Sequence, residues 1–400
     1  MKRFALGLAL LGLCVSSLTL IKPSLAQGNP ISVGILHSLS GTMAISEVSV
    51  ANATELALEE INQSGGVLGQ QIIIVKEDGA SNWDRYAEKA KKLIITDKVS
   101  AIFGGWTSAS RKAVLPIIEK NQSLLFYPVQ FEGNECSPNI IYSGAQPNQQ
   151  ALPALNWALE QGFKRIYLLG SDYVYPRTIN KILKRHIANK AATLVGEDYV
   201  PLGNKNFSAV VKKIQSSRPQ IIINTINGDS NVAFFKAYRQ AKLDPRLLPT
   251  ISFSIAEPEL QNIGTNLFLG HYATWNYFQS LENPANRLFI ESYRQRYGTN
   301  SVISDPMAHA YANAFFWRRA VEKAGGFDPL LVRQALIGLE FRDSPLGRIR
   351  IEPNGSVKQR VYIGRVERNG QFQVVWRSSK EVLPEPYDPL TFPKQNCPKK

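Results

Sequence analysis

Four hundred residues, 44% hydrophobic and 20% charged, exclude a disordered chain and a small scaffold that depends on staples. At about 100–200 residues per domain, two domains with separate cores are expected. Residues 1–26 hold Lys2, Arg3 and Lys22 and no acid, so the rest of the chain carries 43 basic against 32 acidic residues, a formal +11. The basic residues fall in scattered groups such as Lys89, Lys91, Lys92 and Lys212, Lys213, which reads as solvated helix faces and not as a nucleic-acid stripe.

The chain opens with Lys2 and Arg3, an apolar run over 4–21, and Ser24-Leu25-Ala26. That order of charge, apolar core and small residues reads as a cleavable export signal cut after Ala26, which predicts a periplasmic protein. Beyond it no apolar run approaches the roughly 20 residues a membrane helix needs. Cys136 and Cys397 are the cysteines outside the leader, and an oxidising compartment permits one bridge between them. Four histidines with no metal-ligand spacing predict neither a metal nor another cofactor.

From residue 31 the pattern alternates short apolar runs with amphipathic stretches: strand 31–36, helix 47–62 with Val50, Ala53, Ala57 and Ile61 on one face, strand 72–75, helix 84–96, strand 101–103, helix 108–120 and strand 124–126. Gly65-Gly66 ends the first helix. A second series follows, with helices 151–161, 178–190, 207–216 and 231–241 between strands 165–169, 197–200, 220–224 and 250–252. Near-continuous apolar strands such as 221–223 indicate parallel sheets covered on both faces. The fold class is therefore α/β, two doubly wound parallel-sheet lobes. A strand at 270–275 that crosses between lobes comes next, then helices 286–297 and 306–324, the second started by Asp305-Pro306. Strands 348–351 and 361–363 are expected to form a hairpin around 352–360, with a strand at 372–376 and a Pro-rich irregular tail over 381–400.

Ligands of open α/β sheets bind beyond the carboxyl ends of the strands. The loops there, 37–44, 104–108, 127–133, 170–177, 225–230 and 253–257, carry Trp106, Tyr127, Phe131, Tyr173 and Tyr175 beside Ser108, Gln130, Asp172, Asn227, Asp229 and Ser254. Aromatic walls with a few convergent polar groups describe a small-molecule pocket. Taken singly, each aromatic could be core and each polar residue a helix cap, as the spacing allows for Ser108 and Asp229. His37 beside Ser38 suggests a nucleophile and base, but neighbours on a strand end face opposite ways, which favours a structural histidine. No Gly-x-Ser-x-Gly elbow, Walker loop, His-Glu-x-x-His or dinucleotide fingerprint is present, so a binding protein is expected and not an enzyme.

The loops resemble those of a known family. The similarity spans about 31–376 and is dense at Leu36-His37-Ser38-Leu39-Ser40-Gly41-Thr42-Met43-Ala44, at Leu125-Phe126-Tyr127-Pro128-Val129-Gln130-Phe131-Glu132-Gly133, at Gly170-Ser171-Asp172-Tyr173-Val174-Tyr175-Pro176-Arg177, and at Asn227-Gly228-Asp229-Ser230 and Tyr272-Ala273-Thr274-Trp275. These segments are similar to solute-binding proteins of ABC transporters with the type I periplasmic-binding fold, in particular the urea-binding branch, close to amide-binding regulators. The resemblance implies two lobes, 30–144 with 273–341 and 145–272 with 342–380, joined by crossovers near Gly144, Tyr272 and Phe341 and closing like a hinge. It implies a site made by Trp106, Ser108, Tyr127 and Gln130 of the first lobe, by Tyr173, Tyr175, Asn227, Asp229 and Ser254 of the second, and by Trp275 near the crossover, to which residue chemistry adds Asp172 as a candidate acceptor. It also implies urea or a similar amide as ligand, membrane permease subunits as partners, and a monomer. Amide N–H groups need acceptors, which Asp229, Asp172, Gln130 and tyrosine oxygens supply, and the carbonyl needs donors such as Ser108 and Tyr127. An amino-acid binder of the same fold, holding a ligand carboxylate at the helix that starts at Ser108, is the main rival.

Overall fold

The computed structural model describes residues 28–397, so the export signal and the cut after Ala26 lie outside the described residues. The first part of the chain runs β1 (Ile31–His37), α1 (Ala44–Gln63), β2 (Ile72–Asp78), α2 (Trp83–Ile95), β3 (Ile102–Gly104), α3 (Ser108–Lys120), β4 (Leu125–Tyr127) and β5 (Ile140–Tyr142). Its strands form one parallel sheet in the order β2-β1-β3-β4-β5. Phe103 and Phe126 stack at 4.9 Å between ring centroids on adjacent strands and anchor its core.

The second part runs α4 (Ala151–Glu160), β6 (Arg165–Ser171), α5 (Val174–Ala188), β7 (Thr193–Val200), α6 (Ser208–Ser217), β8 (Ile221–Thr225), α7 (Ser230–Gln240), β9 (Thr250–Ser252), α8 (Glu257–Ile263) and β10 (Tyr272–Trp275). The remainder is α9 (Pro284–Tyr297), α10 (Asp305–Ala324), α11 (Pro329–Leu336), β11 (Glu340–Ser344), β12 (Gly347–Ile351), β13 (Val357–Lys358), β14 (Tyr362–Val366) and β15 (Phe372–Arg377). Strands β10, β9, β8, β6 and β7 are parallel, and β14 and β15 extend that sheet antiparallel beyond β10. Every residue of β8 is buried, as its unbroken Ile run requires of a strand covered on both faces.

Three crossovers join the lobes. At the first, Gly144 runs so close to the next loop that a Cβ there would stand 2.1 Å from the Val129 carbonyl carbon, which only glycine tolerates. The other two differ from expectation. β10 pairs with β9 and β14, so 272–275 belongs to the second sheet and the crossing comes after it, over 276–283. The segment 342–358 does not join the second lobe: Phe341, Ile349, Ile351 and Val357 sit in the same core as Phe103 and Trp317, and Tyr142 of β5 bridges Ser356. The hairpin expected between 348–351 and 361–363 is also replaced. β12 pairs with β11 and β13, while β14 lies in the other sheet, because the alternate residues of β12 have the first lobe's core to cover.

Two buried carboxyls sit at the 276–283 crossover. Glu257 Oε1 accepts from the Gln279 N–H at 2.7 Å, and Asp305 Oδ2 from the Asn276 N–H at 2.8 Å. Burial outweighs those bonds and pushes each carboxyl up to about 8. The folded chain thus keeps two protons that the unfolded chain has released above pH ~5, and the stability they confer is lost as pH rises through 8. Burial drives His271 and His309 down to about 3 from 6.5, which acts with the opposite sign below pH 6.5. The thermal midpoint should therefore fall between about pH 6.5 and 8, and Glu257→Gln should flatten that fall. A midpoint that climbs through this range in the parent protein would contradict the assignment.

Candidate functional site

The site is built where loops of the two sheets face each other. On the first lobe, Thr107 caps α3 by accepting from the Ser110 N–H at 3.1 Å, which leaves the Ser108 hydroxyl free of capping. Ser108 Oγ donates to Glu132 Oε2 and accepts from Arg111 Nη1 at 3.1 Å. Ser108 and Arg111, three apart on one helix face, thus meet a carboxylate delivered by the loop after β4. Arg111 is wholly buried: its Nε lies 2.8 Å from Glu135 Oε1, its Nη2 lies 3.5 Å from Glu132 Oε1, and its guanidinium covers the rings of Tyr127 and Phe131 at 4.9 and 4.7 Å. Lys112 adds contacts of 3.0 Å to Glu135 and 3.7 Å to Glu132. Burial alone would raise Glu135, but the charge of Arg111 overrides it and holds this carboxyl at about 2.

Aromatics enclose the group. Tyr127 OH donates to the Trp106 carbonyl, Tyr173 lies 6.4 Å from Tyr175 between centroids, and all three tyrosines are buried. Burial raises all three phenols above their ordinary value. Tyr175 OH reaches Gln150 Oε1 at 3.3 Å, and Gln150 Nε2 is held on the Thr274 carbonyl at 2.7 Å.

The lobes are stitched by side-chain hydrogen bonds. Trp106 Nε1 donates to Asn227 Oδ1 at 3.1 Å, which also accepts from Ser254 Oγ at 2.8 Å. Gln130 Nε2 donates to the Phe253 carbonyl at 2.8 Å and to Ser254 Oγ at 3.1 Å, while its buried Oε1 has no partner. Thr42 Oγ1 donates to Asp229 Oδ1, and the Asp229 N–H to the Thr42 carbonyl at 3.1 Å. Asp229 occupies the N-cap position of α7 but makes no side-chain cap bond.

The structure thus brings Trp106, Ser108, Tyr127, Gln130, Tyr173, Tyr175, Asn227 and Ser254 together in the buried zone between lobes. Asp229 stands apart as a half-buried link to Thr42. Trp275 lies beneath the zone, its Nε1 donating to the Ile255 carbonyl at 2.7 Å to hold the 253–256 loop. Asp172 lies outside this buried zone. It is exposed and paired with Arg177 at 2.5 Å, because side chains alternate at the end of β6: Ser171 turns inward, accepting from the Asn227 N–H at 3.0 Å, and Asp172 turns out. Glu132 and Arg111 were not among the expected site residues, although the Ser108/Arg111 spacing on a helix that opens into the cleft was a readable signal. His37 is structural, its Nδ1 3.0 Å from Glu47 Oε2 in the first lobe's core.

Comparison with known proteins agrees with this architecture. The Leu/Ile/Val-binding protein homolog 6 of Brucella melitensis is 24% identical over 370 residues, covering 90% of this chain and 93% of the relative. A solute-binding protein of an ABC transporter from R. palustris, solved with 4-hydroxybenzoate, superimposes with a TM-score of 0.81 at 22% identity, over 89% of this chain and 98% of that one. The branched-chain amino acid transporter substrate-binding protein of Streptococcus pneumoniae, solved with isoleucine, gives 0.77 at 20% identity, over 88% and 99%. At these identities the structural likeness carries the fold alone. The model of the periplasmic binding protein domain matches residues 31–392, and the chain belongs to that family.

Proposed function

We propose that this protein is the exported, monomeric solute-binding component of an ABC uptake system, capturing urea or a short-chain amide between its lobes and delivering it to membrane permease subunits. The observation that carries the reading is Glu132 at the start of α3. In a binder of amino or aromatic acids, the free N–H groups and hydroxyl of such a helix start receive the ligand's carboxylate. Here Ser108 and Arg111 are already engaged by the protein's own carboxylate. A second anion beside Glu132 would meet repulsion in a zone of low dielectric. Arg111 and Lys112 balance Glu132 and Glu135 in sign, so the group leaves no net charge for a ligand to neutralise. A neutral ligand that donates N–H to Glu132 and to the open Gln130 Oε1 fits both.

The known relatives that bind Leu, Ile and Val or hydroxybenzoate by name keep amino and aromatic acids as the competing ligands. Two measurements bear on the reading. Glu132→Gln preserves shape and replaces a charged acceptor, so urea affinity should fall by about 1.5–3 kcal/mol, roughly 10–150-fold in Kd. Parental affinity in that variant would remove Glu132 from the site. The second measurement concerns Thr42 and Asp229, which act on closure in this account and not on the ligand. Thr42→Val and Asp229→Ala should each weaken urea binding by about 1 kcal/mol, and the double variant by no more than the larger single effect. Additive losses would mean that Asp229 touches something other than Thr42.

A further inference from the structure

The segment after β15 touches both lobes in turn. Val382 exchanges backbone hydrogen bonds with Gln359 at the last crossover, 3.3 and 2.7 Å. Asn148 then holds the tail twice, donating to the Leu383 carbonyl at 2.7 Å and accepting from the Glu385 N–H at 3.1 Å. The Pro386 carbonyl accepts from the Asn134 N–H of the first lobe at 2.7 Å and lies so close to Gly133 that a Cβ there would stand 2.2 Å from it. Two residues on, Asp388 Oδ1 meets His186 Nε2 of α5, in the second lobe, at 2.8 Å. Lys181 of the same helix lies 4.9 Å from the centroid of Phe392. The tail then returns to the first lobe, where Cys397 is disulfide-bonded to Cys136 with Cα atoms 5.6 Å apart.

We propose that residues 381–397 are a strap that joins the Glu132–Cys136 loop to α5 and biases the two lobes toward their closed arrangement. Pro386 and Asp388 can lie at most ~7 Å apart along the backbone, so a motion that parts Asn134 from His186 by more than this short link and the two side chains can span must break either the Asn134–Pro386 bond or the Asp388–His186 pair. The disulfide keeps the tail's end on the same loop when either contact opens, so the contact can re-form locally and not by a search. That loop carries Glu135, which holds Arg111, and Glu132. The strap therefore acts on the same side chains that form the site. If closure is the binding-competent state, raising its population in the free protein lowers the apparent Kd by the same factor.

The test needs no ligand for its first arm. Small-angle scattering of the free mature protein is compared for the parent, Cys397→Ser, Asp388→Ala and the double variant. The strap predicts a larger radius of gyration in both single variants and the largest in the double one. With saturating urea, every variant should compact to the parent's value, and the urea Kd should rise about 3–10-fold in the double variant. Free-state scattering and Kd equal to the parent's in the double variant would overturn the proposal, even if its melting temperature were lower, since a tail that merely packs would lower stability alone. If the parent protein fails to bind urea, the ligand reading falls while the free-state scattering still decides the strap.

Discussion

The buried pairing of Arg111 with Glu132 and Glu135 is the constraint on which the rest of the site depends. Charges removed from water cost several kcal/mol each unless they are partnered and hydrogen-bonded, and this group meets both conditions within one helix turn and one loop. It fixes where α3 must start, because Ser108 has to reach Glu132. It also fixes what lies over it, because the guanidinium needs the faces of Tyr127 and Phe131. Removing Arg111 would leave two buried carboxylates with only Lys112 beside them, whereas removing Glu132 leaves Arg111 paired with Glu135.

Around that rigid charged base, the contacts between lobes are hydrogen bonds of short reach. Trp106 with Asn227, Gln130 with Ser254 and the Phe253 carbonyl, and Ser46 Oγ with Glu259 Oε1 at 2.6 Å all connect residues far apart in sequence across the lobe boundary. Each exists only while the lobes are together, so each favours closure to the extent that water cannot replace it equally well in the open form. A modest net value per bond, on the order of 1 kcal/mol, lets a ligand shift the balance, whereas a boundary of buried salt bridges would set it permanently.

The fold was legible where a strand is covered on both faces. The Ile run of β8 and the apolar ends of β1 and β6 announced parallel sheets, and the glycine pair after α1 announced its end. Short elements are legible only where an apolar run marks them: the three-residue β3, β4 and β9 coincide with expected strands, whereas β5, also three residues, and the seven-residue α8 are too short for periodicity to separate from loops. α5 begins at Val174, four residues before the expected start, because Pro176 reads as a breaker in sequence yet is tolerated in a first helical turn, where its missing N–H has no intrahelical role. The alternation of 348–351 shows that one face is buried but not against which lobe, so the hairpin expected with 361–363 gives way to β11–β12–β13 on the first lobe. In the candidate site, loop position places Trp106, Ser108, Tyr127, Gln130, Asn227 and Ser254 at the ends of strands, where the structure brings them together. Sequence shows that the Asp172 and Glu132 carboxylates lie on loops, but only the strand's alternation and the distant Arg111 decide that Asp172 faces water and Glu132 is buried between the lobes.

The central claim is that this cleft is built for a neutral hydrogen-bonding ligand because its anion position is taken by Glu132. It is tested most directly by calorimetric titration of the mature protein with urea, acetamide, leucine and 4-hydroxybenzoate under one set of conditions. The account predicts that urea or acetamide binds and that neither carboxylate competes with it. Leucine or 4-hydroxybenzoate binding more tightly than both amides would contradict it.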